Sequence, residues 1–239
     1  HYESVKDAYL KIFKRCGLDA IYTLAAGGVF TISNTHEFQV LADVGEDVIF
    51  VCEKCRYAEN SEISKLASDD KCPQCGGKIK EKTSIEVGNI FPLGTKYSEA
   101  FGLKYSDKDG DQKHIVMGSY GIGVSRLAGT IVEIHNDGVG IVWPENIAPF
   151  RVHLIVLDHR NREADGVYED LQKAGVEVLY DDRVQETPGE KFADADLIGC
   201  PFRVIVSEKT LEKDSAEVKK RTEDKSILVN LNKLSDQLR

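Results

Sequence analysis

Four cysteines in two close pairs, Cys52-Glu-Lys-Cys55 and Cys72-Pro-Gln-Cys75, impose the tightest constraint on this 239-residue chain. Sixteen residues lie between the pairs. Each pair can grip one tetrahedral ion from a tight turn, and four thiolates at ~2.3 Å saturate zinc. Gly76-Gly77 after the second pair suits the backbone of such a knuckle. The spacing predicts a structural zinc ribbon held by Cys52, Cys55, Cys72 and Cys75, with no open position for chemistry. The competing use, as two redox dithiols, is weaker because neither CxxC precedes a helix in a βαβ unit. Cys16 and Cys200 fall on apolar faces and read as small buried hydrophobes.

The rest of the chain has the balance of a globular protein, with 41% hydrophobic and 30% charged residues. Apolar runs such as Val48–Cys52 are far shorter than the ~18 residues that span a bilayer. No charged-then-apolar leader opens the sequence. Disorder, membrane spanning and secretion are disfavoured, and a reducing compartment is expected: the cytoplasm, or alternatively an organelle matrix. The net charge of −9 excludes a bulk electrostatic nucleic-acid binder, so any nucleic acid is read by a few placed residues. Met117 is the sole methionine and the first residue is His1, which reads as a fragment of a longer chain.

Periodicity divides the chain. Val5, Ala8, Tyr9, Ile12, Phe13 and Cys16 form one apolar stripe of a helix that Gly17 stops. Strands are expected at Val29–Ser33, Phe38–Ala42, Asp47–Cys52, Ser84–Phe91 and Lys113–Met117. A glycine-rich stretch, Gly118-Ser-Tyr-Gly-Ile-Gly123, reads as the passage from a strand into a helix. Trp143-Pro-Glu-Asn-Ile-Ala-Pro149 carries two prolines and marks a domain junction. Beyond it strands Val152–Leu157, Val176–Tyr180, Arg203–Ser207 and Ser226–Leu231 alternate with helices Glu163–Ala174 and Glu190–Ile198, the pattern of an α/β sheet.

Bare glycines let a base or phosphate approach the backbone, and Arg126 adds a planar, permanent charge. That combination is weak by itself, because a tight turn with a surface arginine looks the same. Its surroundings carry more. His36-Glu-Phe-Gln39, Glu86-Val-Gly-Asn-Ile-Phe91, Leu93-Gly-Thr-Lys-Tyr-Ser98 and Gly118-Ser-Tyr-Gly-Ile-Gly-Val-Ser-Arg126 follow one another. Gly140-Ile-Val-Trp-Pro144, Asp181-Asp-Arg183 and Pro188-Gly-Glu-Lys-Phe-Ala-Asp-Ala-Asp-Leu-Ile-Gly-Cys-Pro201 continue the order. The series resembles the bacterial-type prolyl-tRNA synthetases over nearly the whole chain except roughly residues 52–83.

The resemblance implies an α+β catalytic portion with an incomplete class II antiparallel sheet, a small zinc ribbon, and an α/β anticodon-binding domain. Residues 1–51 and 84–148 would be catalytic, 52–83 the four-cysteine insert where most bacterial members carry an editing domain, and 149–239 anticodon-binding. It implies activation of proline by ATP with Mg²⁺ and transfer to tRNA-Pro, by a homodimer in full-length form. Arg126, Gly121, Gly123 and Glu86 would bind ATP. Asn89, Phe91, Gly118, Ser119, His36 and Glu37 would line the proline pocket, although a histidine at a strand edge serves structure equally well. Many members carry histidine where Asn89 stands. Arg183, Lys191 and Asp194 are the candidates for reading the two guanines of a proline anticodon. The class's first and second motifs lie upstream of these strings in the family, so the chain alone is expected to lack exchange activity. Two rivals remain: a zinc-ribbon protein that binds tRNA or a partner, and a synthetase paralogue with different chemistry.

Overall fold

The structure, a computed structural model, describes residues 1–239. The chain divides into two compact units, His1–Ile134 and His135–Arg239.

The first unit is a helix laid on a mostly antiparallel sheet. Helix α1 (Tyr2–Arg15) leads into β1 (Ile21–Ala25), β2 (Thr35–Leu41), β3 (Asp47–Cys52), β4 (Ala58–Asn60) and the long β5 (Ile79–Gly94). Then come α2 (Lys96–Ala100), a small hairpin of β6 (Lys104–Ser106) and β7 (Gln112–His114), β8 (Met117–Ile122) and α3 (Val124–Ile134). The sheet runs β2-β1-β4-β3-β5-β8, and β2 also pairs with β5. One strand therefore carries three partners in succession. Residues 79–84 of β5 pair with β3, 84–90 with β2, and 88–94 with β8.

The apolar stripe of α1 buries Phe13 and Tyr9 against Phe38, with ring centroids 5.4 and 5.1 Å apart. Close approach depends on Gly88: a Cβ there would sit 2.9 Å from the Gly121 carbonyl and 3.1 Å from the Phe13 ring. One irregularity in β5 shapes everything above it. Phe38 is opposite Gly88, but the next residue, Gln39, is opposite Glu86, so Val87 is an extra residue in a β-bulge.

In the second unit β9 (Val152–Val156), α4 (Asn161–Lys173), β10 (Val178–Asp181), α5 (Pro188–Ile198) and β11 (Phe202–Val206) precede α6 (Glu208–Leu211), β12 (Ser215–Lys220), β13 (Ile227–Asn230) and α7 (Leu231–Leu238). The order is β10-β9-β11-β12-β13, parallel across the first three strands and antiparallel beyond. Val152, Leu154, Val156, Val204 and Val206 pack on Leu171 of α4 and Leu234 and Leu238 of α7. Helix α5 opens with a capping box of Thr187 and Glu190 and closes at Gly199, whose φ is 76°.

Three expectations are corrected. Residues 29–33 form turns, not a strand, because Gly27 and Gly28 break the extended run that β1 begins eight residues earlier. The glycine-rich stretch is itself a strand, β8, since its backbone completes a ladder with β5 and the helix starts only at Val124. Lys113–Met117 is not one strand but the end of β7 and the start of β8. No helix is long and apolar enough to cross a membrane.

The cap at Gly199 yields a stability prediction. A Cβ there would sit 1.9 Å from the Ile141 carbonyl oxygen, in a left-handed conformation that side chains resist. Gly199→Ala should destabilise the second unit by about 2 kcal/mol or more, read from the urea midpoint. A midpoint equal to that of the parent protein would show that the cap tolerates a side chain.

Candidate functional site

The bulge at Val87 decides which side chains share a face. In a regular strand Glu86 and Asn89 would project to opposite sides. Here Asn89 Nδ2 donates to Glu86 Oε1 at 2.8 Å, so both stand on one face. Across the ladder Asn89 is paired with Gly121 and Phe91 with Ser119. Glu37 of β2 is opposite Asn89. Asn89, Phe91, Ser119, Gly121, Glu37 and Glu86 thus occupy one side of the sheet.

A concavity of about 520 Å³ opens on this side, lined by Glu86–Asn89 and Gly121–Arg126. Its floor is nearly bare: a Cβ on Gly121 would lie 3.4 Å from Asn89 Oδ1, and one on Gly123 would lie 3.4 Å from Arg126 Cβ. The first turn of α3 borders it, where backbone N–H groups have no partner within the helix. Arg126 reaches over the floor, with Nη1 donating to Glu86 Oε2 at 3.2 Å and to the Glu86 carbonyl at 3.3 Å. Its other terminus is 3.7 Å from Glu46. The Arg126 side chain is 48% exposed, so its ion pair is loosely held and open to exchange for another anion.

Beside this floor Glu37 is held by two amides. Its Oε2 accepts from Gln39 Nε2 at 3.0 Å and from Asn60 Nδ2 at 3.1 Å. Gln39, fully buried, spends its second amide hydrogen on Asp47 at 2.7 Å. Burial pushes the Glu37 carboxyl above its ordinary range, the two amides oppose that, and nearby Glu86 and Asp47 reinforce it. The roles of Gln39, Asn60 and Asp47 escape a sequence reading, because nothing in their spacing shows that three strands join them in one network around Glu37.

Two expected pocket residues lie elsewhere. His36 and Glu37 are neighbours in a strand, so they face opposite sides. His36 stacks on Tyr22, with centroids 4.2 Å apart, on the side covered by α1. The Tyr2 hydroxyl donates to the Ile90 carbonyl at 2.8 Å, leaving its oxygen to accept from His36 Nδ1 at 3.0 Å. Burial lowers the His36 pKa, which favours the neutral ring. Gly118 also faces this side, where a Cβ would meet the Tyr120 hydroxyl at 2.4 Å. Its bareness serves packing.

The four cysteines come together. All four sulfurs lie within 4.8 Å of one another, with Cys52 and Cys75 at 3.5 Å and Cys55 and Cys72 at 3.7 Å. The two turns match: Lys54 N and Gln74 N each donate to the sulfur two residues earlier at 3.4 Å. Arg56 and Gly76, each just after a second cysteine, both take positive φ, 62° and 71°. Of the remaining cysteines, Cys200 is buried and Cys16 half-buried.

In the second unit Arg183 and Asp194 are joined, Nη2 to Oδ2, at 2.8 Å, beside a cavity of about 260 Å³. Lys191 is corrected as a direct base reader. Its side chain is 2% exposed and its Nζ donates inward to the Val156 carbonyl at 2.9 Å, out of reach of a base edge.

Comparison with known proteins follows the same division. Residues 1–135 match the tRNA synthetase class II core domain (G, H, P, S and T), and residues 151–239 the anticodon binding domain. The chain belongs to the class II tRNA synthetase family. Its curated relatives include the proline--tRNA ligases of Sulfurihydrogenibium sp. (strain YO3AOP1), 46% identical over 183 residues, and Persephonella marina, 44% over 181. These alignments cover 73% and 74% of this chain and 32% of each relative. The proline--tRNA ligase of Methylobacterium nodulans is 37% identical over 270 aligned positions, covering all of this chain and 60% of that protein. The chain therefore spans about a third of the length of the first of these relatives. Among solved structures, prolyl-tRNA synthetase from Cryptosporidium parvum, complexed with L-proline and AMP, matches with a TM-score of 0.72 and 20% identity. It covers 99% of this chain and 43% of that one, and at this identity it shows the shared fold. The architecture is a class II catalytic-type domain with an anticodon-binding domain.

The held carboxylate of Glu37 gives a pH prediction. A raised pKa means that the folded state penalises the ionised form, so the cost is full above the folded pKa. It is relieved as pH falls into the ordinary carboxylate range, where the unfolded chain also takes up the proton. Because one oxygen takes both amides, a glutamine can present its own oxygen there. Glu37→Gln should melt above the parent at pH 7 and converge with it near pH 4. A variant less stable at pH 7 than at pH 4, relative to the parent, would reverse the sign of this burial cost.

Proposed function

We propose that this chain carries the ATP- and proline-binding floor of a prolyl-tRNA synthetase, which forms prolyl-adenylate and transfers proline to tRNA-Pro. One observation carries it: the bulge in β5 brings Glu86 and Asn89 to one face, beneath Arg126 and beside the bare backbone of Gly121 and Gly123. Catalysis of this kind works by positioning and neutralising charge, without a protein nucleophile. Arg126 exchanges Glu86 for a phosphate of ATP and covers the adenine face, above the flat floor of Gly121 and Gly123. Glu86, so released, would offer a carboxylate oxygen to the Mg²⁺ that accompanies ATP. Asn89, Phe91, Ser119 and Glu37 form the proline end, where the half-buried carboxylate attracts the substrate's ammonium.

Residues 1–51 and 84–148 are assigned to the catalytic domain, 52–83 to a zinc ribbon in place of an editing domain, and 149–239 to the anticodon-binding domain. The cysteine cluster fits zinc. In a tetrahedron with bonds of ~2.3 Å the sulfurs stand about 3.8 Å apart, and the Cys55–Cys72 spacing is 3.7 Å. Zinc held there would tie the two turns together. Arg183 and Asp194 are assigned to tRNA. The full-length protein is assigned as a homodimer acting in a reducing compartment.

Two experiments test these assignments. The chain should bind a non-hydrolysable prolyl-adenylate analogue more tightly than its alanyl and threonyl counterparts, and Arg126→Ala should weaken that binding about tenfold or more. Equal binding of all three analogues would favour a paralogue with different chemistry, and no binding would remove the adenylate site. Separately, purified protein should contain one zinc, and its cobalt derivative should show thiolate-to-metal charge transfer that Cys72→Ser abolishes. Structural sites of this type contribute an apparent ~10–16 kcal/mol at neutral pH, so metal removal should loosen residues 52–80 to proteolysis. Four freely alkylated cysteines in metal-free protein as isolated would contradict the zinc assignment.

A further inference from the structure

Lys191 lies in the first turn of α5, yet its side chain is 2% exposed. Its Nζ donates to the Val156 carbonyl at 2.9 Å, and is 3.5 Å from the Asp181 carbonyl and 3.7 Å from Asp181 Oδ1. Val156 and Asp181 end the adjacent parallel strands β9 and β10. One ammonium therefore ties the carboxyl ends of two strands, the edge from which α/β sheets present ligand-binding loops. Burying it is costly, and an apolar side chain of similar size serves stability as well. The position asks for a role beyond stability.

Asp181 supplies it. Its side chain is 4% exposed and grips Arg183 by two parallel bonds, from Nε at 2.9 Å and Nη2 at 2.8 Å. Burial alone would raise the Asp181 carboxyl, but the Arg183 bonds and the Lys191 charge outweigh it and keep the group ionised. Arg183 Nη2 also donates to Asp194 Oδ2, an acceptor that is 44% exposed. Nε and Nη2 are thus committed, which leaves the Nη1 hydrogens for a ligand.

The loop after β9 borders the same cavity, with Asp158 and His159 both at positive φ, 56° and 55°. Two cations and two carboxylates cancel, so the cluster is a poor trap for phosphate. It offers donors from Arg183 and acceptors from Asp194, side by side. Guanine presents the complement: O6 and N7 accept, while N1–H and N2–H donate.

We propose that Lys191 is a positioning residue: its buried ammonium fixes Asp181, and through Asp181 the Arg183 guanidinium, in the orientation that recognises a guanine of a single-stranded RNA loop. It does not touch the base. This inference rests on the anticodon-binding assignment made above and revises how that site works.

The test is fluorescence anisotropy with the whole 239-residue chain and an RNA hairpin bearing the proline anticodon. Control hairpins replace either anticodon guanine by adenine. The parent protein should prefer the guanine hairpin about tenfold or more. No preference would overturn the anticodon assignment itself. Given a preference, Arg183→Ala should abolish it at one guanine, and Lys191→Met should abolish it at the same one. The double variant should lose nothing further. A merely structural lysine would lower thermal stability and leave the preference ratio unchanged, which would overturn the proposal. So would additive losses, which would mean that Lys191 meets the RNA directly. Asp181→Asn cuts the same relay with little change of shape and carries the test if Lys191→Met does not fold. A preference retained in Asp181→Asn would equally overturn the proposal.

Discussion

The hydrogen-bond ladder of β5 is the constraint on which the first unit depends. Its sixteen residues pair with β3, then β2, then β8, so three separately coded strands take their register from one. Register in a half-buried sheet is unforgiving, because a slip of one residue exchanges the two faces. The bulge at Val87 is a built-in slip of that kind. Below it the strand pairs Cys52 with Ile79, so the cysteine cluster is attached to its start. Above it Gly88 thins the sheet for Phe13 of α1, and Asn89 meets Gly121. The cluster, the packed helix and the open concavity are three consequences of one strand.

Much of this was legible in the chain. The α1 stripe, the β3 span and the Cys pairs rest on short-range periodicity or spacing, which local physics sets directly. Strand-helix alternation after Val152 likewise rests on apolar runs broken by Gly175 and Gly199. What escaped was long-range. Strand β12 alternates Ala216 and Val218 inward with charged residues outward, a weak signal beside Lys219-Lys220. Nothing local distinguishes Gly118, bare for Tyr120, from Gly121, bare on the open floor. His36 and Glu37 part company only because the strand alternates, and which face is open depends on where α1 lands. Lys191 looked like a surface cation because lysines usually are. Its burial follows from Val156 and Asp181, distant in sequence but adjacent in the sheet.

Two arginines illustrate two ways of preparing a charge. Arg126 rests on Glu86 at 3.2 Å with half its surface in water, so its partner is replaceable at small cost. Arg183 is clamped by the buried Asp181 through two bonds of 2.9 and 2.8 Å, and only its contact with Asp194 is exposed. The first arrangement suits an arginine that moves onto a ligand phosphate. The second suits one that must hold a fixed angle, as reading a planar base edge requires.

The bulged face of β5, and not the face under α1, is assigned as the ligand floor. The first unit offers both a concavity at Glu86 and Arg126 and another of about 470 Å³ beside Tyr22, His36 and Tyr57. Nuclear magnetic resonance of the labelled chain titrated with Mg²⁺-ATP separates them most directly. Shifts are expected at the amides of Glu86, Asn89, Gly121, Gly123 and Arg126, with Tyr22, His36 and Tyr57 undisturbed. Shifts confined to Tyr22, His36 and Tyr57 would contradict it.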